Sequence, residues 1–183
     1  MNINKLFEEN NIDKVHFYNV KTPIDNNSFT VCVLFNSAEN RIEARGISIC
    51  SVLDSYKISK GKNKSLGRAL KALKRKKNFF KINGAGRKNE FVTREMKIKD
   101  EIDEERFQKQ IVPELKASSI DLDIKVVSDP NNSRYSKKYI FKIPLSYPVQ
   151  VANRYFRYKS QYRPTPIGRY ELDLFKPTVV EVQ

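Results

Sequence analysis

Lysine and arginine residues recur every few positions between residues 59 and 78, where the sequence reads SKGKNKSLGRALKALKRKKN. Their side chains are positively charged at neutral pH and bind phosphate groups, so this spacing favours contact with a polyanion. The residues that we predict to contact phosphate here are Lys60, Lys62, Lys64, Arg68, Lys71, Lys74, Arg75 and Lys76. Residues 55–89 contain 13 Lys or Arg and no Asp or Glu, whereas the whole chain has a formal net charge of +14. Nearly all of the excess positive charge therefore lies in this segment.

The same segment has the periodicity of an amphipathic helix, preceded by a loop rich in glycine and lysine. The apolar stripe of this helix contains Leu66, Ala69, Leu70 and Leu73. The opposite side contains Lys64, Arg68, Lys71 and Arg75. Like charges four residues apart on a helix repel each other, and no glutamate is interleaved to offset the repulsion. An external polyanion would relieve it; the alternative is a solvated face of a lysine-rich protein.

A second cationic segment, residues 131–170, contains nine Lys or Arg, no acidic residue and seven tyrosines. In the run NRYFRYKSQYR, arginines alternate with aromatic residues, a composition suited to phosphate contact and base stacking, worth about 1–3 kcal/mol per stacked base. The residues that we predict to contact nucleic acid here are Arg154, Arg157, Tyr158 and Arg163. The alternative is an ordinary amphipathic helix, whose core-facing stripe contains Val151, Ala152, Tyr155 and Phe156.

Residues that could catalyse a reaction are few. His16 is the only histidine, which excludes a metal centre built from several histidines, and its apolar surroundings predict a structural role. Two sets of carboxylates could in principle hold a metal: Glu39, Glu43, Asp54 and Glu90, or Asp121, Asp123 and Glu171. Neither matches a nuclease pattern, and SKGKNKS lacks the glycine spacing of the phosphate-binding loop GxxxxGK[ST]. We therefore predict no catalytic residue, no metal and no cofactor, with a metal-dependent nuclease as the alternative.

The elements that must position these residues predict an α+β fold. Apolar alternation indicates a strand at 14–20, an antiparallel pair at 28–35 and 41–50, and a glycine bulge at Arg45 and Gly46. After the basic helix we expect a strand at 91–100 and a helix at 100–115, which Pro113 should kink or end. A second hairpin at 120–127 and 139–145 precedes a helix at 148–164. Antiparallel hairpins are thus each followed by a basic amphipathic helix, in one domain or two small lobes.

The predicted division places a hairpin and the basic helix in residues 1–90, an acidic strand–helix connector in residues 91–118, and a second hairpin–helix lobe with C-terminal strands in residues 119–183. Residues 95–123 hold nine acidic and five basic residues. This acidic segment either screens the basic helix within the fold or faces a basic surface of a partner.

Cysteine usage and hydropathy indicate an intracellular protein. Cys32 and Cys50 are too few and too isolated for a zinc site, and in the first hairpin Cys32 should face Arg45, so we predict two reduced thiols. No apolar run is long enough to span a bilayer, and the start MNINKLFEENN lacks the order of a secretory signal. We therefore predict a cytoplasmic location and no membrane partner.

The first hairpin followed by KGKNKSLGRALKAL resembles a double-stranded RNA binding module, in which strands precede a helix whose N-terminal lysines grip phosphates across the major groove. The Lys, Asn and Ile usage and the layout from ARGISIC to GRALKAL resemble small basic proteins of phages and mobile elements of AT-rich bacteria. Among these are anti-CRISPR inhibitors that bind a type II RNA-guided effector nuclease. This second resemblance implies that the basic face engages guide RNA, DNA or an acidic protein surface and so denies the effector its target.

Together these features predict a non-enzymatic protein that binds nucleic acid or a ribonucleoprotein, including a Cas effector whose DNA binding it would block. The prediction covers DNA, RNA and complexes that contain them, and it leaves the oligomeric state open. The alternatives are the metal-dependent phage nuclease and a protein-interaction adaptor whose acidic middle segment docks a basic partner.

Overall fold

The computed structural model describes residues 2–21, 24, 28–51, 53–82, 90–117, 125–128 and 137–156. Helix α1 (Ile3–Glu8) leads into three strands, β1 (Lys14–Lys21), β2 (Ser28–Asn36) and β3 (Arg41–Ile49), which are followed by helix α2 (Ile58–Lys74). The second half contains strand β4 (Phe91–Ile98), helix α3 (Glu101–Arg106), a π-helical turn (Phe107–Ile111), helix α4 (Val112–Ala117), strands β5 (Lys125–Ser128) and β6 (Lys137–Pro144), and helix α5 (Tyr147–Phe156). Two antiparallel sheets with helices confirm the predicted α+β class.

The first sheet has the strand order β1-β2-β3, and its β2–β3 hairpin lies where the sequence predicted one. The pairing register of this hairpin shifts between Leu34 and Phe35. Leu34 pairs with Ala44 and Phe35 pairs with Ile42, which leaves Glu43 as the extra residue of a bulge. The bulge is therefore two residues away from its predicted position.

Helix α2 lies unusually close to the first sheet, because small side chains meet at the contact. The buried residues of α2 are Gly61, Ser65, Ala69, Leu70, Ala72 and Leu73. A Cβ atom added to Gly46 of β3 would lie 1.9 Å from the Ser65 carbonyl oxygen and 2.4 Å from the Ala69 amide nitrogen. Gly46 is thus required by the approach of the helix. The predicted glycine bulge at Arg45 and Gly46 is wrong, because Gly46 makes room for α2 and not for a bulge. Cys32 pairs with Gly46, whereas the sequence predicted that it faces Arg45.

The run SKGKNKS lies inside α2 and not in a loop before it, because the helix begins at Ile58. Gly61, which suggested a loop, packs against the sheet: a Cβ atom there would lie 2.4 Å from the Thr30 hydroxyl oxygen. The first helical hydrogen bond runs from the Gly61 amide to the Lys57 carbonyl (3.0 Å). The basic helix therefore starts earlier than its apolar stripe predicts.

The other face of the first sheet packs against the second half of the chain. One hydrophobic cluster contains Val31, Val33, Ile42 and Ile47 from the sheet and Phe107, Phe141 and Tyr147 from the second half. Strand β3 runs between this cluster and α2, so seven of its nine residues are buried. The first sheet therefore lies between α2 and the second half of the chain and supports the helix. The predicted division of the chain at residues 90 and 118 stays a prediction.

The second sheet has the strand order β4-β6-β5, with both pairs antiparallel. Asp100 caps the N-terminus of helix α3, because its side chain accepts a hydrogen bond from the Asp103 amide (2.8 Å). The predicted end of the helix at Pro113 is wrong: α4 begins at Val112, directly after the π-helical turn, and continues through the proline. A widened turn can absorb the amide that proline lacks, so the chain stays helical to Ala117.

Helix α5 agrees with the predicted helix that begins at Pro148, and Val151 and Ala152 are buried as predicted. The side chains of residues 155 and 156 and everything from residue 157 onward lie outside the described residues, including the closing strands. Within the described ranges, no helix has the length and apolar character needed to cross a membrane.

Candidate nucleic-acid interface

The solvent-facing side of α2 and its C-terminal cap carries a row of cations that we call the cationic ridge. Its members are Lys60, Lys64, Arg68, Lys71 and Arg75. At about 100° and 1.5 Å per residue, these five side chains fall within a sector of about 80° and form a row about 22 Å long. All five are exposed. The opposite side of the helix is fixed on the sheet, so the ridge is held on a rigid support.

No described carboxylate balances the ridge. Salt bridges between described residues include those of Lys5, Arg41, Lys109, Lys137 and Arg154. None of the ridge residues has a described carboxylate oxygen within 4 Å. The positive charge of this helix is therefore left to solvent or to a ligand.

Arg68 differs from the other ridge residues because it also serves the fold. Its guanidinium donates a hydrogen bond to the Ile47 carbonyl on the outer edge of β3, and burial lowers the pKa of this guanidinium. The same edge is covered at Arg45, whose amide donates to the Asn78 carbonyl (2.6 Å). An arginine carries five N–H donors and stays charged at neutral pH, so Arg68 can close the sheet edge and still contact a phosphate.

The other predicted residues of this segment flank the ridge. Lys74 is exposed beside it, whereas the Lys62 ammonium lies 5.5 Å from the centre of the Phe17 ring on the other side of the helix. Lys76 occupies the left-handed position (φ 52°) of a turn that ends α2, with the Lys77 amide bonded to the Ala72 carbonyl (2.9 Å). Cations at a helix C-terminus also offset the helix dipole. Lys62, Lys74 and Lys76 are thus exposed, but they do not continue the row.

The second predicted site is only partly described. The Arg154 guanidinium forms an ion pair with the Glu114 carboxylate, which also accepts from the Tyr147 hydroxyl (3.4 Å). Its charge is therefore matched within the fold, unlike the charges of the ridge. Arg157, Tyr158 and Arg163 lie outside the described residues, so their contact with nucleic acid stays a prediction.

The acidic segment finds its described partners in its own half of the chain. Glu104 accepts from the Lys137 ammonium (2.8 Å) and from the Tyr139 hydroxyl (3.0 Å), and Glu105 pairs with Lys109. The hydrogen bond from Lys137 lowers the pKa of Glu104, and the hydrogen bond from Tyr139 acts in the same direction. None of these carboxylates is paired with α2. Screening of the ridge by this segment, one of the two roles expected for it, is therefore not seen among the described residues.

The carboxylates considered for a nuclease site do not converge in the described part of the chain. Glu39 and Glu43 both bind Arg41, which occupies them as ion-pair partners. Across the described residues, no group of three or more His, Cys, Asp or Glu is placed to hold a metal ion. Asp121, Asp123 and Glu171 lie outside those residues. His16 pairs with Val33 in the first sheet and is half-buried.

Both cysteines are free thiols, as predicted. Burial raises the pKa of Cys32 to about 12, so its thiol is unreactive at neutral pH. Cys50 is partly exposed, and its thiol donates to the Asp54 carbonyl (3.4 Å) in the loop before α2. Neither cysteine belongs to a described group of residues that is placed to hold a metal ion.

A cleft of about 240 Å³, which we call the N-terminal cleft, opens beside the first turns of α2. Ridge residues Lys60 and Lys64 line it, together with two residues that the sequence did not single out, Ser48 and Lys57. Lys57 belongs to the basic segment and could have been included on that ground. Ser48 carries no such signal, because in the sequence it is one more small residue of a strand.

Comparison with known proteins adds no relative: no protein-family model, curated protein or solved structure matches the chain. The resemblances to double-stranded RNA binding modules and to phage-borne inhibitors therefore stay predictions. Function has to be inferred from the ridge, the cleft and their surroundings.

Proposed function

We propose that the protein binds nucleic acid, free or within a ribonucleoprotein, through the cationic ridge, and that it does so without catalysing a reaction. The observation that carries the proposal is the row of five exposed cations with no described carboxylate within 4 Å. A phosphate backbone supplies the missing negative charges at regular intervals. Its binding would also relieve the repulsion between ridge residues four positions apart.

The dimensions of the ridge suit a phosphate backbone. A row of about 22 Å matches the length of about six base pairs at 3.4 Å per step. Helix α2 is held close to the sheet through Gly46 and Gly61. The backbone that carries the ridge is therefore already in place when a ligand binds. Three antiparallel strands also precede a helix with exposed N-terminal lysines, which is the arrangement that the resemblance to a double-stranded RNA binding module implies.

The proposal is tested by the salt dependence of binding. If all five ridge residues contact phosphate, the affinity should fall about 500-fold between 50 and 200 mM salt, because each contact releases about 0.9 counterion. Fluorescence anisotropy with labelled duplex DNA, single-stranded DNA, duplex RNA and a guide-loaded type II effector would measure this fall and identify the preferred partner. A flat salt response with every ligand would refute the proposal.

The non-catalytic part of the proposal needs a separate test. Incubation of the protein with plasmid DNA and Mg²⁺ or Mn²⁺ should leave the plasmid intact. Cleavage that depends on either metal would favour the nuclease instead. The proposal places the protein in the cytoplasm, where genomic DNA, RNA and guide-loaded effectors are accessible. The measurement with the guide-loaded effector also tests whether the protein displaces the target DNA of that effector.

A further inference from the structure

The N-terminal cleft lies where the end of β3, the loop before α2 and the first turns of α2 meet. Its volume of about 240 Å³ is well above the share of one water molecule, about 30 Å³, and just below the usual range for small-molecule pockets, about 300–1,000 Å³. The cleft is therefore large enough for a phosphate group with its attached sugar and too small for a large cofactor.

Ser48 lines this cleft and has no described hydrogen-bond partner for its side chain. The residue is 5 % exposed. The side chain lies on the α2 side of the sheet, two residues after Gly46, where the helix approaches most closely. The hydroxyl oxygen is not among the described polar atoms that are shut off from solvent, so it opens into the cleft and can bond a ligand atom there.

The charges around this hydroxyl favour an anion. Three lysines, Lys57, Lys60 and Lys64, line the cleft against one acidic residue, Asp54. None of the three has a described carboxylate within 4 Å, Asp54 included. Lys57 caps α2 without a side-chain hydrogen bond to the helix, so the free amides of the first turn add positive potential on the same side.

We infer that the N-terminal cleft binds the terminal phosphate group of a nucleic-acid strand, a role that rests on the proposed function of the ridge. A terminal phosphate has a nucleotide on one side only, so it can enter a cleft more deeply than a phosphate inside a strand, which has nucleotides on both sides. A terminal phosphate also carries about −1.5 to −2 charges at pH 7, which suits three lysines better than the single charge of an internal phosphate. Lys60 and Lys64 belong to both surfaces, so a strand held by its end in the cleft would continue along the ridge.

The inference is tested with short duplexes of one sequence that carry a 5′-phosphate, a 3′-phosphate or only hydroxyl groups at their ends. The wild-type protein should bind one of the phosphorylated duplexes about tenfold more tightly than the hydroxyl duplex, because charge-assisted hydrogen bonds form only with the former. Ser48→Ala and Lys57→Gln should each reduce this ratio, Lys57→Gln the more strongly, while they leave binding of the hydroxyl duplex unchanged.

The double variant Lys71→Gln/Arg75→Gln is the matched control, because it removes ridge charges far from the cleft. It should weaken binding of all three duplexes by the same factor and keep the ratio. Equal binding of the three duplexes by the wild-type protein would overturn the inference and leave the proposed function standing. A ratio that survives both Ser48→Ala and Lys57→Gln would also overturn it, because the end would then be held elsewhere. If no duplex binds but another ligand of the binding panel does, the inference is overturned alone; if no ligand of the panel binds, the proposed function falls as well.

Discussion

Helix α2 and the second half of the chain both carry cations, but they differ in whether carboxylates neutralise the positive charge. In the second half, Lys137 lies 2.8 Å from Glu104, Lys109 pairs with Glu105, and Arg154 pairs with Glu114. On α2, none of the five ridge residues has a described carboxylate partner. Only Lys109 has its partner nearby in the sequence; Lys137 and Arg154 lie in residues 131–170, which contain no acidic residue, so their ion pairs form only in the tertiary structure.

This comparison shows why net charge alone says little about function. A cation that is paired within the fold contributes to stability, and its charge is already neutralised when a polyanion approaches. A cation without a carboxylate partner repels neighbouring cations, and its charge is available to a ligand. The ridge and the second half should therefore respond in opposite ways when charges or packing are changed.

The largest effect is expected from Gly46→Ala, which would separate the ridge from its support. The added Cβ would lie 1.9 Å from a carbonyl oxygen and 2.4 Å from an amide nitrogen of α2, and these backbone atoms cannot turn away as a side chain could. We expect a loss of about 3 kcal/mol in the free energy of unfolding, the upper end of the usual cost of overpacking, measured by urea denaturation. A loss below about 1 kcal/mol would mean that α2 does not pack on β3 as closely as described.

The next largest effect is expected from removing equal charge from the two regions. One variant changes Lys60, Lys64, Lys71 and Arg75 to Gln, and its control changes Lys97, Lys99, Lys109 and Lys116, all exposed, to Gln. The slope of log affinity against log salt should fall by about 3.6 in the ridge variant, because four phosphate contacts are lost. It should stay close to wild type in the control. Equal changes in both variants would show that only the overall charge matters.

A pH-dependent effect is expected in the second half. The Lys137 ammonium and the Tyr139 hydroxyl lower the pKa of Glu104, so the ionised carboxylate stabilises the fold at pH values above the ordinary glutamate range. This contribution is lost as the pH falls through the lowered pKa. Glu104→Gln should therefore be less stable than the wild type near neutral pH, and the difference should shrink in acid. Thermal unfolding over this range would check it, with the exposed Glu101→Gln as control; a difference that is constant with pH would contradict it.

The fold class and the main elements could be predicted because they depend on local patterns. The hairpin of β2 and β3 and the helix that carries the ridge follow from apolar spacing in single stretches of chain. The bulge could not be placed, because β3 is buried on both faces and its small residues, Ala44 and Gly46, reflect the approach of α2. Contacts of this kind join residues about 20 positions apart, and periodicity within one strand does not contain them.

The candidate site also has some features that the sequence predicts and others that depend on the tertiary structure. The exposed row of the ridge follows from helical periodicity, so its members could be predicted from sequence alone. The hydrogen bond from Arg68 to the Ile47 carbonyl depends on which strand lies at the edge of the sheet. The ion pair between Arg154 and Glu114 joins two helices that are distant in the sequence. The unpartnered hydroxyl of Ser48 is visible only once α2 lies over it. These three features need the tertiary structure.

The smallest expected effect comes from Gly67→Ala, which makes the same chemical change as Gly46→Ala on the opposite side of α2. No described atom beyond the helix's own backbone lies within 4 Å of a Cβ built at Gly67, which stands among the exposed cations. Because alanine favours a helix over glycine, the free energy of unfolding should rise by about 0.5–1 kcal/mol in urea denaturation. A loss of stability would mean that this side of the helix is covered. If the variant is more stable but binds duplex more weakly, the ligand approaches the helix backbone at Gly67, where even one methyl group is in its way.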